Sequence, residues 1–287
     1  MNAIVLPIVN GVAFAMLMFI VASGLTLIFG VMRVVNFAHG EFTVVGMYAA
    51  FLLFEMLHID PLIALLPVAA AFFGIGYVLQ RTLINPFIGR AEHEQFILLV
   101  GLATVIVNGL LLIFGPDARP INLSYSFDSY AVGPMFLDKV RVFAALAALA
   151  VAAALFLFFR YTRTGTAIRA CADNLTGAAV VGLDVKQIYA VTFGLGLACV
   201  GAAATLMATI ADASPSLAQA YTLLAFTIVI IGGLGSMVGA LIGGVLIGVS
   251  EALAGFYIQP SMKSMFSFAL LIIVLVLRPQ GLMGRRL

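Results

Sequence analysis

ASPSLAQAYTLLAFTIVIIGGLGSMVGALIGGVLIGVS, residues 213–250, contains no charged side chain. As one helix it would run about 57 Å, nearly twice the roughly 30 Å hydrocarbon core of a bilayer. A single ordinary span cannot absorb it. The interruption IGGLGSMVG at 231–239 predicts either two passes or one pass with a re-entrant turn.

The rest of the chain follows the same grammar. Hydrophobic residues fill 64% of the 287 positions and charged residues 9%, against about 25% charge in soluble domains. With a mean hydropathy of +1.20, the chain is predicted to be an all-α integral membrane protein. Apolar windows of spanning length recur at about 10–32, 61–80, 95–115, 142–159 and 188–211. A window at 37–57 spans despite Glu41, and 262–278 closes the chain. The expectation is a polytopic bundle of eight or nine transmembrane helices, forming one domain over residues 1–287.

Basic residues set the orientation. If the first span runs inward, one side holds Arg33, Arg81, Arg90, Arg160, Arg163, Arg169, Lys186, Arg278, Arg285 and Arg286, ten of the fourteen Lys and Arg, and is the cytosol. The other side keeps Arg119, Lys139, Arg141 and Lys263, among the acids Glu55, Asp60, Asp117, Asp128, Asp138, Asp212 and Glu251. An outside N-terminus and a cytosolic C-terminus require an odd number of crossings, which favours nine. The first 32 residues lack the basic n-region of a cleavable signal, so the first span is expected to be retained. Cys171 falls in a polar segment and Cys199 about 18 Å into the next helix, too far apart to bridge.

Three polar features interrupt this background. The first is RYTRTGTAIRACADNLTGAAVVGLDVKQ at 160–187, where Ile168, Cys171, Leu175, Ala179 and Gly182 recur at spacings of three and four. A short amphipathic helix is predicted, capped by Thr164 or Thr166 and ended by Gly182. Asp184 with Gln187 makes a capping-box-like start for the next span. Such a helix either lies in the headgroups with its arginines on anionic lipid, or docks a cytosolic partner through its small Ala, Gly and Thr face.

The second feature is VMRVVNFAHGEFTVVGMYAAF at 31–51. On a helix Asn36, His39, Thr43, Gly46 and Ala50 share a face and Glu41 takes another. Polar groups entering the membrane need partners or water, so Asn36, His39, Gly40, Glu41, Thr43 and Gly46 are candidates for a translocation path or gate. In the alternative reading Asn36 and His39 cap the helix and bond a neighbouring loop, while Glu41 pairs with Arg33. Metal ligation by His39 is not supported, because no second histidine or cysteine stands at ligand spacing. The third feature is the glycine density from Gly232 to Gly248, which reads as helix packing or as a broken helix along a path.

Other chemistries lack their signatures. None of Lys139, Lys186 and Lys263 stands in a G-K-[ST] sequence, so the chain carries no Walker A motif for ATP. A Ser/His/Asp grouping, an HExxH and a paired-carboxylate site are missing too, and no cofactor is expected. Nor does any basic patch with interleaved aromatics point to nucleic acid.

GLTLIFGVMRVVNFAHGEFTVVGMYAAF (24–51), TRTGTAIRACADNLTGAAVVGLDV (162–185) and IIGGLGSMVGALIGGVLIGVSEAL (230–253) resemble the permease subunits of bacterial ABC importers for branched-chain amino acids. The resemblance implies an inner-membrane subunit that pairs with a second homologous permease, cytosolic ATP-binding subunits and a periplasmic substrate-binding protein. It makes 160–187 the segment with the coupling helix, with Arg163, Gly165, Arg169, Ala170, Ala172, Asn174, Gly177, Ala178 and Gly182 as its ATPase-coupling residues. Permeases for urea and short amides share these motifs, and a stand-alone channel or ion-coupled carrier is the alternative from another class. The loop PDARPINLSYSFDSYAVGPMFLD (116–138) then reads either as a contact for the binding protein or as a lid on its own helices.

Overall fold

The computed structural model describes residues 2–126, 128–132 and 135–284. Arg285 and Arg286, which enter the charge argument, and Phe127 of the 116–138 loop lie outside the described residues. Among those described, nine helices are long and apolar enough to cross a membrane. They are built on α1 (Asn2–Met32), α2 (His39–Leu57), α3 (Pro61–Leu79), α4 (Glu92–Phe114), α5 (Lys139–Tyr161), α8 (Val185–Met207), α9 (Ala218–Gly232), α10 (Met237–Tyr257) and α11 (Lys263–Leu277), the spans of α9 and α11 beginning one turn earlier at Pro215 and Pro260. Two short helices, α6 (Arg163–Asp173) and α7 (Leu175–Val180), stand between the fifth and sixth spans. A hairpin of β1 (Ser129–Val132) and β2 (Met135–Asp138) rises between α4 and α5.

The charge-free stretch resolves into two passes. α9 ends at Gly232, and Gly233 and Gly235 take φ of +102° and +82°, a left-handed path open to glycine at little cost. Ser236 then caps α10 by accepting from the Gly239 N–H at 3.0 Å. Carbonyls left open at the end of α9 are taken by the chain beyond α11: Leu282 N–H donates to Ile231 at 2.8 Å and Met283 N–H to Gly232 at 2.9 Å.

α8 is the axis of the bundle, buried over 83% of its apolar stretch, whereas α4 and α11 are buried over 11% and α5 over 17%. Lipid tails are as apolar as leucine, so helices associate here by close packing rather than by hydrophobic burial. The sequence supplies the means. At the α1–α8 crossing a Cβ on Gly196 would lie 2.9 Å from the Gly24 carbonyl oxygen and 2.7 Å from Ile28, so only bare backbone fits. Gly46 of α2 meets Ala204 of α8 in the same way.

α1 starts earlier than the expected residue 10 and continues to Met32, a length of about 47 Å. The chain then turns at Arg33 (φ +54°) and comes back into the bundle as a non-helical segment in which Val34, Asn36 and Ala38 are buried. α2 begins only at His39. Non-helical backbone at such depth is tolerated because protein covers it.

Candidate functional site

Residues 36–46 form a buried junction among α1, α2, α8 and α9. Asn36 Oδ1 accepts from the Ala38 N–H at 3.1 Å, an Asx turn that aims the chain into α2. His39 Nε2 donates to the Val21 carbonyl of α1 at 2.8 Å, and this nitrogen carries the proton because a carbonyl only accepts. Val21 is eleven residues, about 16 Å, before the end of α1, so the His39 ring reaches α1 well short of that end. Thr43 Oγ1 donates to the His39 carbonyl at 3.0 Å.

Glu41 meets neither Arg33 nor any other cation in the ion pairs among the described residues. Its carboxylate accepts from Thr222 Oγ1 of α9 at 3.1 Å, and the same hydroxyl oxygen accepts from the Gly40 N–H at 2.8 Å. A Cβ on Gly40 would run into the Ala218 carbonyl and Thr222, which is why glycine stands there. Asn36, His39 and Thr43 have no exposed surface. The pairing of Glu41 with Arg33 and the bond from His39 to a neighbouring loop are therefore replaced by bonds to α9 and α1. Thr222 and Val21 had no signature in the sequence, since a lone threonine in an apolar helix bonds its own preceding turn as readily as a distant neighbour.

The 160–187 segment is two helices rather than one. Thr162, not Thr164 or Thr166, caps α6, accepting from the Gly165 N–H at 2.9 Å. Asn174 adopts an extended conformation that ends α6, and its Oδ1 caps α7 by accepting from the Gly177 N–H at 2.8 Å. Gly182 (φ +89°) closes α7, and Asp184 caps α8 through the Gln187 N–H at 3.1 Å, both as expected.

The break resets the helical phase. Gly165, Ile168 and Cys171 face inward on α6, and burial pushes the Cys171 thiol pKa up. On α7 it is Ala178 that turns inward, not Leu175 or Ala179. Of the residues expected to couple to an ATPase, Gly165 and Ala178 are thus packed against the chain itself. Arg163, Arg169, Ala170, Ala172, Asn174 and Gly182 are exposed, and Gly177 is half-buried. Leu175, Val180 and Val181 are exposed by 44%, 81% and 76%, an apolar tip on a polar segment. Beside it lies a cleft of about 390 Å³ lined by Arg81, Asn85, Asp184 and Lys186. Tyr77 anchors this corner, donating to Gln187 Oε1 at 2.9 Å and accepting from Arg81 at 3.2 Å.

α5 and α8 carry the chain about 34 Å from this segment to the opposite end of the bundle. There a cavity of about 450 Å³ opens among α1, α5, α9, α10 and α11. The base of the 116–138 loop is packed on the helices beside it. Tyr125 donates to Asp60 Oδ2 at 2.7 Å, while Asp60 Oδ1 caps α3 through the Leu62 N–H at 2.8 Å. Burial first, then the Asp60 bond and charge, hold the Tyr125 phenol pKa above its usual range. The hairpin itself projects, with Tyr130 and Phe136 exposed.

Nine apolar spans, a two-helix polar joint between the fifth and sixth, and a cavity at the far end define a multi-pass membrane transport subunit. The chain belongs to the family described as the branched-chain amino acid transport system / permease component, whose profile matches residues 7–275. It is 32% identical to the high-affinity branched-chain amino acid transport system permease protein LivH of Escherichia coli K12, over 96% of this chain and 94% of that one. It is 30% identical to the corresponding permease protein BraD of Pseudomonas aeruginosa, over 97% and 95%. Among solved structures, PsaBC from Streptococcus pneumoniae in complex with Fab shares the fold, with a TM-score of 0.54 at 13% identity over 94% of this chain and 91% of that one. Membership of this family favours the amino-acid permease over the urea, channel and carrier alternatives.

Proposed function

We propose that residues 1–287 form one permease domain of an ATP-driven importer for branched-chain amino acids. The chain lies in the bacterial inner membrane with its N-terminus outside and its C-terminus in the cytosol. The observation that carries this reading is the exposed apolar tip Leu175, Val180 and Val181, set in a segment rich in small and basic residues. An apolar patch rimmed by polar residues marks a protein contact, and ATP-binding subunits approach from the compartment that holds ATP. Arg163, Arg169, Ala170, Ala172, Asn174, Gly177 and Gly182 make that contact, while Gly165 and Ala178 support it from within.

A periplasmic substrate-binding protein docks at the projecting hairpin. Membrane lipid and a second homologous permease share the exposed faces of α4, α5 and α11. Asn36, His39, Gly40, Glu41, Thr43 and Gly46 serve the gate by fixing α2 against α1 and α9. Reconstitution with the ATP-binding subunits and binding protein tests the reading. Leucine uptake should require ATP and every subunit, and uptake by the permease alone, driven by an ion gradient, would refute it.

A further inference from the structure

We infer that the cavity at the end opposite α6–α7 is a vestibule that receives a zwitterion with an aliphatic side chain, Glu251 facing its ammonium group and Lys263 and Arg141 its carboxylate. This deepens the importer reading and rests on it. The cavity, about 450 Å³, is of ligand-binding size. Its apolar wall is Phe14, Leu17 and Leu224.

Glu251 stands six residues inside the end of α10, about 9 Å into an apolar helix. A carboxylate there is expensive unless it is paired or functional. Among the described residues its hydrogen bond comes from a neutral group: Ser267 Oγ donates to Oε1 at 2.6 Å, which fixes the carboxyl group's orientation without pairing it to a cation. No ion pair among the described residues includes Glu251 or Lys263, although both line the same cavity. The Lys263 stem lies over Gly255, where a Cβ would collide with it. Arg141, on the third side, is held by Asp138 at 3.2 Å. Opposite charges that line one partly apolar cavity without forming an ion pair match a ligand that carries both charges on one carbon and an aliphatic chain beyond. An uncharged amide would leave both charges uncompensated, and a simple anion would leave that of Glu251.

Phosphatidylethanolamine offers the same charge pair in its headgroup, so the test separates the two. Cys171→Ser and Cys199→Ala are combined with Ser264→Cys on the cavity wall, and the permease–ATPase complex in vesicles is exposed to a membrane-impermeant thiol reagent. Leucine should slow the labelling, whereas leucinamide and isocaproate, each lacking one charge, should not. Glu251→Gln and Lys263→Gln should each abolish the protection; the two variants are independent, so a folding defect in one leaves the other to decide. Equal labelling with and without leucine, in vesicles whose full complex still takes up leucine, overturns the vestibule and leaves the importer standing. Slower labelling on adding phosphatidylethanolamine to phosphatidylglycerol vesicles, without a leucine effect, assigns the cavity to lipid and overturns it as well. A full complex that takes up no leucine at all refutes the importer reading instead.

Discussion

The Thr222 hydroxyl donates to the Glu41 carboxylate at 3.1 Å across 181 positions of chain, and accepts from the Gly40 N–H at 2.8 Å. One hydroxyl thus serves the first turn of α2 and joins it to α9. Thr222→Val keeps the shape and orphans both partners, each costing about 1–3 kcal/mol when buried. The purified subunit should melt at lower temperature and leucine uptake should fall, while Thr222→Ser should stay near wild type. Equal melting of Thr222→Val and wild type would show that the junction is held elsewhere.

Close backbone approach makes a contrast between glycines. Gly196→Val drives a side chain into Gly24 and Ile28, at about 1–3 kcal/mol for overpacking, and should reduce the yield of monodisperse protein in detergent. Gly101→Ala on α4, where a Cβ meets nothing within 4 Å, should leave that yield unchanged or raise it.

The proposed docking face can be probed without touching the membrane-embedded part. Ala172→Arg and Val180→Arg place charge on exposed positions, so the subunit should insert normally and retain less of the ATPase on affinity purification. Asn174→Ala removes the α7 cap, worth about 1 kcal/mol, and should weaken retention more mildly. Full retention by all three variants would rule out docking through α6–α7.

Topology yields a fourth test. With both native cysteines replaced, Ser124→Cys should label in intact cells with an impermeant thiol reagent, and Thr166→Cys only after lysis. Labelling of position 166 from outside would invert the proposed orientation and remove the proposed ATPase contact with it.

Alkaline titration reports on the 116–138 loop. The folded pKa of Tyr125 lies above its ordinary value of 10.0, through burial and then Asp60. The resulting stabilisation is fully present below about pH 10 and is lost as pH rises through the raised value. In tyrosinate absorbance, Tyr125→Phe should therefore remove a late-ionising component. Loss of an early component instead would mean that the loop base is open to water.

How much of this was legible varied with the kind of interaction. Charge-free windows and the IGGLGSMVG break located the spans, because bilayer thickness acts on each segment separately. Gly182 and Asp184 were legible as stop and start, since capping is local. The inward face of 160–187 was readable only as far as Cys171, because Asn174 ends one helix and starts another, and periodicity carries no phase across such a joint. Thr222 and Val21, which hold Glu41 and His39, lie far away in sequence and bear no local mark. The return of 33–38 into the bundle was hidden likewise, as its alternating burial imitates the edge of a span.

The bonds from Leu282 and Met283 to Ile231 and Gly232 bear on how the protein is made. These donors are synthesised after α11, so a nascent chain with the nine described spans inserted still has an open corner where α9 meets α10. That corner can close only once residue 283 has cleared the ribosome, so a break formed some fifty residues earlier waits for the chain beyond α11 to complete it.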